Sequence, residues 1–209
     1  MSVNETRIGV MGGTFDPVHL GHLVVAEDVF EKMGLDKVLF VPAAQNPLKG
    51  DHPEAEAYDR LGMLKAAVEP FPQFEVQDFE LRAGGISYTL DSVEFLATLL
   101  PDCRLFWIIG ADQVANLDQW HRIAELAKRV EFVGIPRPGY PLINPGINNL
   151  MLHEIEVHSL EISSCEIRSR IRAELPVSLF LPPRVDCYIA SNGLYRKSGA
   201  TENAGALLT

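Results

Sequence analysis

Long apolar runs are missing from this chain of 209 residues: none reaches the roughly 18 residues that a membrane-spanning helix needs. The opening MSVNETRIGV also lacks the basic start and apolar stretch of a secretory leader. A cytoplasmic protein without a membrane partner is therefore expected. Cysteine is scarce. Cys103, Cys165 and Cys187 are odd in number and show no C-x-x-C spacing, which argues against a disulfide framework and against a zinc knuckle. Positive charge is short as well: 18 Lys and Arg face 28 Asp and Glu, a net charge of −10. Nucleic-acid backbones and anionic membranes demand a basic face, so neither is expected as a partner. A small phosphorylated ligand stays open, because exposed charges are screened beyond about 8 Å at physiological salt and a few local cations can outweigh distant acids. Internal repeats are absent.

What is there reads as an ordinary globular core, with 47% hydrophobic and 22% charged residues. The length suits one domain, expected over residues 1–196, with a small, polar tail at 197–209 that frays. Runs rich in Val, Ile and Phe at 7–11, 37–41, 104–109 and 130–135 predict buried strands, and 151–157 predicts a last one. Helical spacing of apolar residues recurs between them: Leu20, Leu23, Val24, Val29 and Phe30, then Leu61, Leu64, Ala67 and Val68, then Leu90, Val93, Leu96 and Leu100. Two more helices are expected at 164–173 and 183–191. This alternation predicts an α/β fold, a Rossmann-like doubly wound parallel sheet with a helical C-terminal segment. Ligands of such sheets bind at the carboxyl ends of the strands. Two proline-rich stretches, 42–57 and 136–149, predict surface loops on that same rim. The first carries Asn46 and Lys49 and is either a ligand-closing loop or a solvated connector.

GGTFDPVHLGHL (12–23) follows the first predicted strand. Gly12 and Gly13 there are expected to supply backbone angles closed to other residues and to let a ligand approach the chain. The helix from His19 then points its first amides and its positive dipole end at the turn, an anion site. His19 and His22, three apart, face the same way. They read as surface histidines, as two ligands of a metal with Asp16 nearby, or as cationic imidazoles that meet a polyphosphate. The last reading is preferred. ISSCEIRSRIR (162–172) supports it: Ser163 and Glu166 have capping-box spacing, so a helix should start there. Arg168, one turn in, is placed to reach an anion held with Ser164, whereas Arg170 and Arg172 read as a solvated basic face.

With these motifs the chain resembles the bacterial nicotinate-nucleotide adenylyltransferases over roughly residues 7–195. GGTFDPVHLGH is similar to their G-x-F-D-x-x-H-x-G-H signature and ISSCEIR to their I-S-S-T-x-I-R signature. VPAAQNPLK (41–49), SYTLDSVEFL (87–96), GADQVANLDQWHRIAEL (110–126) and YIASNGLY (188–195) resemble the family's intervening and closing segments. The resemblance implies adenylyl transfer from ATP to nicotinate mononucleotide, with Mg2+ bound mainly through the ATP phosphates. It also implies roles. Thr14 and the backbone at Gly13 and Phe15 would hold the α-phosphate, His19 and Ser164 help with the triphosphate, His22 and Arg168 carry the transition-state charge, Gly110 and Ile162 line the adenine and Asp112 bind the ribose, with Gly12 and Ser163 also at the ATP site. His19, His22, Arg168 and Thr14 would carry catalysis. Asn46, Lys49, the Ser87, Tyr88 and Thr89 turn and Trp120 would take the mononucleotide. Asp112 as a helix cap and Trp120 as a core aromatic remain the plainer readings of the residues alone.

Cys165 stands where the family usually has threonine, Leu48 where it has histidine, and AELPVSLFLP lacks a common glycine. A nicotinamide mononucleotide or phosphopantetheine adenylyltransferase, or a nucleotide-binding sensor without turnover, are the alternative readings. No G-x-S-x-G elbow or Cys–His pattern nominates a covalent nucleophile. The implied reaction is direct attack of one phosphate on another, which needs placement and charge neutralisation rather than a general base. Orientation can supply about 7–11 kcal/mol of such a barrier. An exposed helix dipole offers about 0.3–1 kcal/mol, so side-chain cations must contribute.

Overall fold

A computed structural model of the chain describes residues 5–47, 52–137, 139 and 141–197; Lys49, Leu48 and residues 198–209 lie outside them. The apolar runs become parallel strands: β1 (Thr6–Gly13), β2 (Lys37–Pro42), β4 (Cys103–Gly110) and β5 (Glu131–Ile135). Two shorter strands complete the sheet, β3 (Phe74–Val76) and β6 (Leu152–Glu154), in the order β3-β2-β1-β4-β5-β6. Every pairing is parallel. The chain moves outward from β1 in one direction and returns to β4 on its other side, so the β1/β4 boundary is the switch point at which such sheets take ligands.

Side chains alternate along each strand and split the core into two layers. Met11, Val38, Phe40, Phe106 and Ile108 face α1 (Leu20–Met33), α2 (Ala57–Val68), α7 (Ser164–Arg172) and α8 (Pro183–Asn192). Ile8, Val10, Leu39, Trp107 and Ile109 face α4 (Thr89–Leu99), α5 (Ala111–Val114) and α6 (Ile123–Leu126). A short helix, α3 (Phe79–Ala83), lies between β3 and α4. The spacing of Leu23, Ala26 and Val29 gives α1 one buried stripe, and Gly34 ends it in the left-handed region (φ 56) with Leu35 N–H returning to the Phe30 carbonyl at 3.0 Å.

Four of the expected strands and the five expected helices form where the periodicity places them. β3 is the strand the sequence did not announce: three residues are too few to display an alternation. Of the stretch 151–157, only Leu152–Glu154 pairs with β5.

Candidate active site

β1 ends in the two glycines, and their use differs from the expectation. Both are extended and paired, Gly12 with Val41 and Gly13 with Pro42, and neither has a positive φ. What they supply is the absence of a side chain. A Cβ on Gly12 would lie 3.0 Å from Cζ2 of Trp107, and one on Gly13 3.0 Å from Cζ of Phe15. The left-handed residue of the turn is Phe15 (φ 49), whose ring packs on Phe40 and, edge-on, against His22.

His19 is the N-cap of α1 and His22 stands one turn on, their rings stacked with centroids 3.7 Å apart. Gly21 makes the stack possible, since a Cβ there would lie 3.1 Å from His19 Nδ1. His22 Nδ1 accepts the His19 backbone N–H at 3.2 Å, which fixes the tautomer and leaves Nε2 as the ring's N–H donor. His19 is buried and its Nδ1 has no hydrogen-bond partner. Burial, reinforced by Arg137, lowers its pKa to about 4. The protein itself therefore favours a neutral His19, not the cationic pair expected from the sequence. The helix amides are also less available than expected: Leu20 N–H donates to the Phe180 carbonyl and His22 N–H to the His19 carbonyl, each at 3.0 Å.

The neutral His19 has a consequence for stability. Unfolded, a histidine titrates near 6.5; folded, His19 titrates near 4, so between these values the unfolded chain binds the extra proton. Stability should be unaffected by this group above pH 6.5 and fall by about 3 kcal/mol as pH drops to 4. Urea melts across that window should show a shallower fall for His19→Asn than for the parent.

The second helix start meets the first. Ser163 caps α7 by accepting the Glu166 N–H at 3.1 Å, as its spacing predicts. Ser164 Oγ donates to the Pro17 carbonyl at 2.8 Å, and Arg168 Nη1 donates to the Asp16 carbonyl at 2.7 Å. Arg168 Nε is bound to Glu54 at 2.7 Å, and Arg172 holds the other oxygen of that carboxylate at 2.5 Å. Burial would raise the pKa of Glu54, but the bonds from Arg172 and Arg168 bring it below the usual range. Arg172 is thus not a solvated cation, and Arg170 bonds the Pro176 carbonyl while covering the Phe180 ring.

Two buried polar residues underpin this corner. Asp16 accepts the amides of Glu54 and Ala55 at 2.8 and 3.1 Å and the Tyr195 hydroxyl at 2.8 Å. Burial and the adjacent Asp16 raise the Tyr195 pKa, so it stays a donor. Arg60, 2% exposed, donates to the carbonyls of Thr14 and Ala43 at 2.7 and 2.8 Å and so ties the loop after β1 to the loop after β2. No motif announced Arg60; it sits at a core position of α2 that an apolar residue normally takes.

Between the two helix starts and the strand ends lies a cleft of about 1220 Å³. Gly12, Gly13, Thr14, Phe15, His19 and His22 line it together with Ile162, Ser163, Ser164 and Arg168. Gly110 lies at the end of β4, and Asn46, Ser87, Tyr88, Thr89 and Trp120 form the far wall. Asp112 alone of the described predicted residues stands off the wall, half-exposed and 3.6 Å from Arg137. Arg137 itself lines the cleft and was missed; its only signal was a basic residue just after a predicted strand. Trp120 packs edge-on against Phe132, as its plainer reading has it, and also lines the cleft, with its buried Nε1 lacking a partner. Tyr88 stacks on His121, with centroids 4.4 Å apart. Cys165 is an exposed thiol on the same wall.

Among the described residues no group of three or more His, Cys, Asp or Glu is arranged to hold a metal ion. Asp16, the carboxylate nearest the histidine pair in sequence, already accepts three hydrogen bonds. No helix among the described residues is long and apolar enough to cross a membrane.

The sequence profile of the Cytidylyltransferase-like family matches residues 10–170. A probable nicotinate-nucleotide adenylyltransferase of Opitutus terrae is 45% identical over 193 residues, covering 92% of this chain and 99% of the relative. The nicotinate-nucleotide adenylyltransferase of Bacillus subtilis is 37% identical over 189 residues, 90% of this chain and 98% of its own. Among solved structures, the Plasmodium falciparum nicotinic acid mononucleotide adenylyltransferase complexed with NaAD aligns with a TM-score of 0.76 at 20% identity, covering 91% of this chain and 97% of that one. The last comparison bears on the fold.

Proposed function

This chain belongs to the nicotinate-nucleotide adenylyltransferases of the cytidylyltransferase-like family, and on that premise we propose how its cleft performs the reaction. The enzyme transfers the adenylyl group of ATP to nicotinate mononucleotide, giving nicotinate adenine dinucleotide and pyrophosphate in NAD biosynthesis. The observation that carries the assignment of residues is the lock between the two helix starts: Ser164 on Pro17 and Arg168 on Asp16, bonds that join positions 147 and 152 apart in sequence and put both signatures on one cleft.

In this reading the triphosphate lies over Gly12 to Phe15, with the α-phosphate against the Gly13 to Phe15 turn. An oxygen of the mononucleotide phosphate attacks the α-phosphorus; a new P–O bond forms as the bond to the pyrophosphate oxygen breaks. His22 donates from Nε2 to the oxygens on which charge accumulates, an orientation already set at Nδ1. Arg168 adds fixed positive charge one turn into α7, and Arg137 supplies more at the end of β5. His19, neutral, is a hydrogen-bonding partner for a phosphate rather than a charge. Nucleotidyltransferases typically use a divalent metal; in this reading it would be Mg2+, held mainly through the ATP phosphates. Bound there, it neutralises the phosphate charge that opposes attack.

Gly110 and Ile162 flank the adenine. Asp112 reaches the ribose once it leaves Arg137. At the far wall, Asn46 serves the phosphate or ribose of the mononucleotide, the Ser87–Thr89 turn its carboxylate, and Trp120 its ring; Lys49, outside the described residues, is assigned with Asn46 by its motif alone. Trp120→Ala should raise KM for nicotinate mononucleotide about tenfold or more, consistent with about 1.4 kcal/mol or more of lost binding, and leave KM for ATP nearly unchanged. Equal losses for both substrates would remove the ring-stacking role.

The test of the whole reading is pyrophosphate release with ATP, Mg2+ and each candidate acceptor. Nicotinate mononucleotide should be turned over well ahead of nicotinamide mononucleotide and phosphopantetheine. Preference for either of the others reassigns the far wall, and absence of turnover with all three leaves a binding protein.

A further inference from the structure

The reaction as described leaves one buried carboxyl group of the cleft without a role. Glu80 is the only residue that α3 buries, and it lines the cleft beside Ser87, Tyr88 and Thr89. Its carboxyl accepts hydrogen bonds from the hydroxyls of Ser92 and Ser87. Ser87 Oγ in turn accepts the Ala44 N–H at 3.0 Å, and Ser87 N–H donates to the Gln45 carbonyl at 2.9 Å. Three pieces of chain are thus linked through Glu80 and Ser87: α3, the loop after β2 that carries Asn46, and the first turns of α4, where Ser92 is 1% exposed. A short helix that needed only packing would be served by a leucine, since a buried polar group gains little over a well-packed apolar one unless its partners need orienting. Here two hydroxyls do need orienting, and one of them belongs to the turn at the acceptor end.

We infer that Glu80 is the positioning residue of the acceptor subsite, fixing through the Ser87 and Ser92 hydroxyls the Ser87–Thr89 turn against which the pyridine ring of nicotinate mononucleotide docks. The inference rests on the reading of that turn and Trp120 as the acceptor wall. Burial, with Asp91, pushes the Glu80 carboxyl up from its usual pKa against the pull of Ser87 and Ser92.

Steady-state kinetics of the full chain test it. Glu80→Leu keeps the volume and loses both acceptor bonds; KM for nicotinate mononucleotide should rise at least tenfold while KM for ATP and kcat stay within about threefold. Glu80→Gln keeps an acceptor oxygen and should stay within about threefold of the parent in all three. If the leucine variant does not fold, Ser87→Ala, which removes one link only, should give the same selective rise in smaller measure. Equal rises in both KM values, or a glutamine variant no better than leucine, overturn the positioning role. An unchanged acceptor KM in Glu80→Leu beside a raised one in Trp120→Ala overturns the inference alone. An unchanged acceptor KM in both variants overturns the acceptor wall with it.

Discussion

His22→Ala will lower kcat by about 10²–10³-fold, the loss typical of removing one aimed donor from a developing oxyanion. The expectation follows from where the ring is held. Its Nδ1 takes the His19 backbone N–H, Phe15 meets it edge-on and His19 stacks on its face, so Nε2 has one direction in which to donate. Alanine also loses the bond at Nδ1, and a lost cap costs about 0.5–2 kcal/mol. At about 2–4 °C per kcal/mol for a chain of this size, melting should fall by several degrees at most. His22→Asn separates the two effects, because its side-chain oxygen reaches the same amide but its amide nitrogen does not reach as far as Nε2. It should melt close to the parent and still lose turnover. Parental kcat in a folded His22→Asn variant would take His22 out of the chemistry.

Arg60→Met will cost about 3–5 kcal/mol, the range for removing one partner from a buried charged network, and lower the melting temperature by roughly 10 °C. Arg60 is the largest of the fully buried side chains, and the Thr14 and Ala43 carbonyls that it holds come from the loops after β1 and β2. Methionine fills much of the volume and bonds neither, so two buried carbonyls lose their donor. Asp16, whose charge favours the Arg60 cation, loses that neighbour too. Thermal melts of the two proteins suffice; a shift under 2 °C would mean that the two loops are held by something else. Any folded fraction should also bind ATP more weakly, since the proposed phosphate site is built on the Thr14 loop.

The parts of this molecule that a reader of the sequence could see are those with a local cause. β1, β2, β4 and β5 are apolar runs, and α1 and α7 begin at motifs whose spacing is that of a helix start. Ser163 caps α7 because capping depends on residues three apart. The rest depends on distance in space. Nothing in GGTF says that its glycines are there to admit Trp107 and Phe15, or that the left-handed residue is the phenylalanine. His19 reads as a cation until its burial is known. Arg172 reads as solvated until Glu54, 118 positions away, is found in its grip. Arg60, Arg137 and Glu80 carry no motif; only the fold brings Arg137 and Glu80 to the cleft and Arg60 beneath the loops that border it. Asp112 sits on the expected stretch, with its carboxylate 3.6 Å from Arg137 at the edge of the cleft, a pairing that no local pattern announces.

Glu54 has a further bearing on which anions the enzyme heeds. With Arg168 and Arg172 both grasping that carboxylate, a stray orthophosphate or sulfate would have to evict a resident acid and would gain one weak foothold in return. A nucleotide, anchored simultaneously by base, sugar and phosphate chain, recoups that eviction from its remaining footholds. Orthophosphate and sulfate should accordingly inhibit turnover only weakly, an outcome that a titration of either anion checks.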